Sequence, residues 1–293
     1  MDTAMSALRR PANPAPLPPP GPRLRQLAPA DTIACAGCRR RHGMARYQDR
    51  LRVCGWCGHH GRVPARERIM QLADRGTAEV LTLDLSDRDP LEFNDGTSYR
   101  ERVIAMREAT GEEESIVVAR AHLTGNPVVI ASMDFGFFGG SLGTGAGEAF
   151  ARACDLAVAE HCPLIAVCIS GGARMQEGIA SLAQMARCSA GVTLVNAARL
   201  PYVTVLADPC FGGVTASFAV QADVIVAEPH ARIGFAGGRV IEQATHDRLP
   251  EGFQTSEFLL AHGMVDCVVE RSTIRPLLGR LITAFSAGGT ASR

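Results

Sequence analysis

The chain has 293 residues, 46% of them hydrophobic, enough for one large core with a small appendage, and its thirty acidic and thirty basic residues cancel. Every basic residue is arginine; without lysine the chain forms no Schiff base, carries no biotin of its own and offers no lysine to ATP phosphates. No eighteen-residue apolar run and no secretory-signal pattern is present, so a cytoplasmic protein with no membrane span is expected.

Residues 1–30 hold eight of the seventeen prolines and no periodic apolar pattern, which predicts a disordered or polyproline tail. Residues 1–68 carry thirteen arginines against four acids. Such a basic end suits an anionic neighbour: an acidic partner surface, a nucleic acid, or the phosphates of coenzyme A. Within it, Cys35-Ala36-Gly37-Cys38 and Cys54-Gly55-Trp56-Cys57 stand fifteen residues apart, the spacing of a four-cysteine zinc ribbon over 31–62. Four thiolates close a tetrahedral sphere, so Cys35, Cys38, Cys54 and Cys57 are expected to hold one structural Zn2+ per chain, with His59 and His60 beside it or at the surface.

A helix is predicted over Arg66–Arg75, at the start of a main domain over 63–285. There the pattern alternates: strand Val128–Met133, helix Gly147–Glu160, strand Leu164–Ile169, helix Met175–Ala198, strand Val203–Ala207, helix Val214–Ala222 and strand Val224–Ala227. Short apolar strands between helices predict an α/β fold with a mostly parallel sheet and crossover helices. The glycine-rich Phe135–Gly147 reads as a loop, either a ligand approach or a plain connection. Residues 286–293 read as a second tail. Cys154, Cys162, Cys168, Cys188, Cys210 and Cys267 lie in apolar patterns, where a reduced thiol behaves as a small hydrophobe.

Twice an apolar strand runs into a glycine pair and then a helix-like run, at Gly171-Gly172 and at Gly212-Gly213. Paired glycines either merely turn the chain or aim free backbone N–H groups at one point, where they hold a developing oxyanion. No Walker A loop is present, which favours backbone electrostatics at a carbonyl. Cys210 shows no base or low-pKa setting that would make it a nucleophile.

The ribbon, Phe138-Gly139-Gly140-Ser141-Leu142-Gly143, S-G-G-A-R-M-Q-E-G at 170–178, Asp208–Val214, I-G-F-A-G-G-R-V-I-E-Q at 233–243 and E-G-F-Q-T-S-E-F-L-L-A-H-G at 251–263 occur in that order. From about Ile33 to Phe285 the chain resembles the β subunit of bacterial acetyl-CoA carboxylase carboxyltransferase. The resemblance implies a crotonase-like fold of repeated β-β-α units. It also implies transfer of carboxylate from carboxybiotin on a separate biotin carboxyl carrier protein to acetyl-CoA, giving malonyl-CoA for fatty acid synthesis. The implied partners are an α subunit in an α2β2 assembly, which completes the site across the interface, and biotin carboxylase in the wider complex.

Oxyanion stabilisation is thereby carried onto Gly171, Gly172, Ala173, Gly212 and Gly213, and coenzyme A contacts onto Gly139, Gly140, Arg174 and Arg239. A plainer role exists for Arg174 and Glu177: Glu177 favours a helix N-terminus while Arg174 pairs locally or holds the subunit contact. Gly238 replaces a proline usual in the family, and Cys210-Phe211 replace small hydroxyl residues, which bears on substrate identity. Two alternatives stand beside this reading: a pathway-specific carboxyltransferase for another acyl-CoA, and nucleic-acid binding through the arginine-rich ribbon as a secondary activity.

Overall fold

The apolar runs become strands of one sheet because each is flanked by residues that turn the chain and each is apolar on both faces. The computed structural model describes residues 31–85 and 89–288; the Pro-rich segment 1–30 lies outside them. Strands β1 (Thr32–Ala34) and β2 (Arg41–Gly43) pair antiparallel and lead into helix α1 (Met44–Asp49). Helix α2 (Ala65–Leu72) starts one residue before its predicted start and ends three before its predicted end, because Ala73 turns extended at ψ 155°. The Asp74 carboxylate then accepts the N–H groups of Thr124 and Gly125 at 2.9 and 2.8 Å.

Next come β3 (Glu79–Val80), α3 (Tyr99–Thr110), β4 (Ile116–Leu123), β5 (Asn126–Met133), α4 (Thr144–Glu160), β6 (Leu164–Ser170), α5 (Ile179–Ala197), β7 (Tyr202–Phe211) and α6 (Gly212–Thr215). The chain continues through β8 (Val224–Ala227), β9 (Ile233–Gly234), α7 (Gly238–Thr245), α8 (Ser256–Ala261), β10 (Cys267–Val268) and α9 (Arg271–Gly288). Helix α9 takes in the first three residues of the predicted C-terminal tail; 289–293 lie outside the described residues.

The large sheet runs β10-β8-β7-β6-β5-β4-β3, with β9 added beyond the end of β8 on β7. It is parallel from β5 to β10, as the alternation predicts, and antiparallel where β3, β4 and β5 meet. Residues along β6 alternate between two cores. Leu164, Ala166 and Cys168 join Phe150, Ala153, Cys188 and Val192 of α4 and α5; Ile165 and Val167 join Ile69, Leu72, Ile274 and Leu278 of α2 and α9. Each large apolar side chain so buried contributes about 1.5–3 kcal/mol, which makes the layered sheet the rigid frame for the loops at its C-terminal edge.

Three further predicted elements differ from the observed ones. Helix α4 starts at Thr144, inside the predicted loop, because its first N–H is accepted by the Glu177 carboxylate at 2.6 Å. The predicted helix from Met175 is split: a 3-10 turn over Met175–Glu177 ends at Gly178, whose φ of 51° and ψ of −128° lie outside the helical region. The predicted Val214–Ala222 helix is replaced by α6 and a 3-10 turn at Phe218–Val220. The Ser217 hydroxyl donates to Gly213 O at 2.6 Å, and the hydroxyls of Tyr202 and Thr204 donate to Phe218 O and Ala219 O.

Candidate active site at the C-terminal edge of the sheet

Parallel strands that end together place their following loops side by side. Ser170 and Cys210 are register partners across β6 and β7, so the two glycine pairs face each other. A Cβ on Gly212 would lie 2.8 Å from the Gly172 Cα and 3.7 Å from the Ala173 nitrogen, and the φ angles of Gly172 and Gly212 are 120° and 62°. The missing side chains therefore permit both the turns and their contact.

Gly171 N–H donates to Gly139 O at 2.8 Å, Gly172 N–H to Ser170 Oγ at 3.0 Å, and Gly212 N–H to Phe235 O at 2.9 Å. These three glycines are spent on the loops themselves, a correction to their expected donor role. The N–H groups of Ala173 and Gly213 have no acceptor among the described residues. They lie on apposed loops, where a Cβ on Gly213 would be 3.8 Å from that of Ala173.

Gly139 and Gly140 serve the same construction. Gly139 O holds Gly171 N–H, and a Cβ on buried Gly140, at φ 65°, would come within 2.2 Å of Ile169 O. Their contacts are to the backbone ending β6, and Gly140 is covered rather than open to coenzyme A.

Arg174 also departs from its expected coenzyme A contact: it is 1% exposed and turned into the protein. Its guanidinium donates to both Glu114 oxygens, to Tyr99 Oη at 3.1 Å, to Ser141 Oγ at 3.1 Å and to Ser141 O at 2.9 Å. Burial works against its charge, but Glu114 outweighs it and the guanidinium is held more firmly protonated than usual. Glu177 accepts from Tyr99 Oη at 2.6 Å as well as from Thr144 N–H. It thus caps a helix as anticipated, but α4 rather than the one that follows it. Burial pushes the Tyr99 hydroxyl above its ordinary pKa, so it remains a proton donor. Tyr99 comes from α3, an unpredicted helix whose signal is present in the sequence: Ser98 and Glu101 form a capping box and Gly111 ends it at φ 72°.

Arg239 is exposed at the start of α7, on an open cleft also lined by Phe211, Arg232, Leu249 and Phe253. Cys210 is buried with its thiol pushed up to about 12 by burial, which removes it as a nucleophile.

In the ribbon, the four cysteine Sγ atoms all lie within 4.8 Å of one another. The Cys35–Cys57 and Cys38–Cys54 separations are both 3.7 Å. A tetrahedral ion with sulfur bonds of about 2.3 Å requires edges of about 3.8 Å, so the donor set fits a four-thiolate metal ion. His60 is no ligand. Its Nδ1 faces Glu228 at 3.3 Å and its Nε2 faces Glu270 at 2.6 Å. Buried Glu228 also accepts from Arg68 at 2.6 Å and from Arg271 Nε at 2.7 Å; Arg271 donates in addition to Leu51 O and Gly61 O. This ionic cluster docks the ribbon on the main sheet.

A carboxyl transferase domain model matches residues 85–264. The acetyl-coenzyme A carboxylase carboxyl transferase subunit beta of Gloeobacter violaceus is 49% identical over 266 residues, 91% of this chain and 88% of that protein. The chain belongs to this carboxyl transferase beta-subunit family. A fused relative, the carboxyl transferase subunits beta/alpha of a Parafrankia species, is 48% identical over 90% of this chain, and the chain spans 43% of its length. Among solved structures, a Pseudomonas malonate decarboxylase hetero-tetramer in complex with malonate superposes with a TM-score of 0.62 at 26% identity, covering 76% of this chain and 82% of that one. The carboxyl transferase domain is thus a crotonase-like α/β fold with a four-cysteine cluster at its N-terminal side. No helix among the described residues is long and apolar enough to cross a membrane.

Proposed function

We propose that this carboxyl transferase moves the carboxyl group of carboxybiotin, presented on a biotin carboxyl carrier protein, to the methyl carbon of acetyl-CoA. The observation that carries the reading is the pair of N–H groups, Ala173 and Gly213, that have no acceptor among the described residues and lie on two glycine loops held in contact. The N–CO2 bond of carboxybiotin breaks to release carbon dioxide, and its electron pair returns to the ureido group, which takes a proton from the acetyl methyl. The resulting enolate attacks carbon dioxide and gives malonyl-CoA. Negative charge grows on the thioester oxygen, where Ala173 and Gly213 donate; one such donor is worth about 2.7–4 kcal/mol. With the ureido group as base, no side chain need take the proton.

The alpha subunit supplies the remaining half of the site in an α2β2 assembly, with biotin carboxylase in the wider complex; the fused beta/alpha relative supports that pairing. The ribbon holds one structural Zn2+ through Cys35, Cys38, Cys54 and Cys57, and the six other cysteines, none of them in a disulfide, suit a reducing cytoplasm. The test combines the chain with its alpha partner and assays malonyl-CoA-dependent carboxylation of free biotin, the reverse half-reaction. Activity that requires both subunits supports the proposal. A folded, zinc-replete complex that carboxylates no biotin from malonyl-CoA, but does so from methylmalonyl-CoA, would move the assignment to another acyl group.

A further inference from the structure

The linker leaving the ribbon places a guanidinium in an unusual setting. Arg62 lies with its guanidinium carbon 3.7 Å from the ring centroid of Phe135, the residue two positions after β5. The side chain is exposed and has no hydrogen-bond acceptor among the described residues. Partial burial pushes its pKa down; Asp208 works the other way and the like charge of Arg232 adds to the lowering. Asp208 is itself committed to Arg232, accepting from its Nε at 2.8 Å, its second guanidinium nitrogen at 3.0 Å and its backbone N–H at 3.0 Å. Two guanidiniums therefore share one carboxylate, and one of them keeps its donors unspent.

The mount is rigid. Arg52 and Arg271 hold the backbone carbonyls of Arg62 and Gly61 at 3.4 and 2.9 Å. On the other side Val63 is buried and Ala65 N–H donates to Asp134 Oδ2 at 2.8 Å, while Asp134 Oδ1 holds Gly136 N–H beside Phe135. A fixed, stacked arginine with free donors next to a second arginine is built for a group with several anionic oxygens. The position fits the substrate: Phe135 follows β5, Asp208 precedes the Gly212 loop on β7, and Arg232 O accepts from Cys210 N–H next to that loop.

We propose that Arg62 and Arg232, with Phe135 as the stacking platform, form a phosphate subsite for the coenzyme A end of the substrate. The ribbon thus contributes to substrate binding by fixing Arg62. This rests on the carboxyltransferase reading above.

The test compares the parent and Arg62→Gln in complex with the alpha subunit. Calorimetry would measure coenzyme A and dephospho-coenzyme A binding, and the reverse half-reaction would give kcat and KM for malonyl-CoA and for biotin. The expected result is a roughly tenfold weaker coenzyme A affinity and a matching rise in malonyl-CoA KM, with kcat and biotin KM unchanged. Arg62→Lys should recover part of the loss, since it keeps the charge without the fork. If the penalty disappears with dephospho-coenzyme A, the 3′-phosphate occupies the subsite; if it persists, the pyrophosphate does. Unchanged coenzyme A affinity, or an effect confined to biotin KM, would overturn the subsite. Failure of the parent complex to bind coenzyme A at all would instead defeat the functional reading on which it rests.

Discussion

Adding one methyl group at Gly212 and at Gly213 should give opposite results although the residues are neighbours. At Gly212 the new Cβ would stand 2.8 Å from the Gly172 Cα, about 1 Å inside normal carbon contact. The Gly172 Cα is backbone and the backbone also fixes the Cβ position, so neither atom can rotate away. The backbone at φ 62° adds about 1–2 kcal/mol for any side chain, and overpacking adds about 1–3 kcal/mol. The sum, about 2–5 kcal/mol, corresponds to a melting temperature lower by about 3–8 °C for a chain of this length. Relief of the clash requires the loops carrying Ala173 and Gly213 to separate by close to 1 Å, which is worth about a hundredfold in kcat.

At Gly213 the Cβ meets the flexible Met185 side chain, 3.1 Å from Sδ and 3.3 Å from Cγ, and lies in ordinary contact with the Ala173 Cβ at 3.8 Å. That thioether can move by a few tenths of an ångström, and the N–H stays in place. Gly213→Ala should keep kcat within about threefold of the parent, well under 1 kcal/mol of barrier. Gly213→Pro, which deletes the N–H, should lower kcat by about 10²–10³. The assay is the reverse half-reaction with the alpha subunit, run beside thermal denaturation of each variant. Parental kcat in Gly212→Ala, or equal activity in Gly213→Ala and Gly213→Pro, would refute the apposed-loop account.

Glu228→Gln should destabilise the fold by about 3–5 kcal/mol at neutral pH, because two buried guanidiniums lose their shared counter-charge. Burial alone would raise the Glu228 pKa, but Arg68 and Arg271 hold it well below the ordinary carboxylate range. Its ionised form therefore stabilises the folded state above the unfolded value of about 4.3, and the contribution fades as pH falls toward the depressed folded value. Urea denaturation at pH 7 and pH 4 should show a smaller acid penalty in Glu228→Gln than in the parent; parallel losses would contradict the assignment. For the ribbon, Cys35→Ser or chelation should remove one metal ion per chain by elemental analysis and release hydrogen-exchange protection over residues 32–60. Full metal retention in Cys35→Ser would exclude the four-thiolate site.

Features carried by short-range pattern are legible in the amino-acid sequence alone. The C-x-x-C pairs specify their own geometry, since each knuckle folds its backbone onto its own cysteine, as in Cys54 N–H to His59 O and Gly58 N–H to Cys54 O. The parallel strands are equally plain, because β6 and β7 are apolar on both faces and flanked by glycine or proline. The glycine pairs mark the place of the site for a similar reason: a backbone at positive φ in close contact leaves glycine as the residue that fits.

Which atoms act there is decided only in three dimensions. Sequence gives every residue of S-G-G-A the same N–H, and only the partners found by Gly171, Gly172 and Gly212 leave Ala173 and Gly213 free. Arg174 reads in sequence as a cation available to phosphate, and the structure turns it inward because Glu114, sixty residues earlier, sits beneath the loop. Arg62 reads as one more charge in a basic stretch until the docked ribbon lays it on Phe135. Local pattern fixes where the backbone bends, since that depends on the φ and ψ of adjacent residues. Which donors remain unspent depends on partners that only packing brings together.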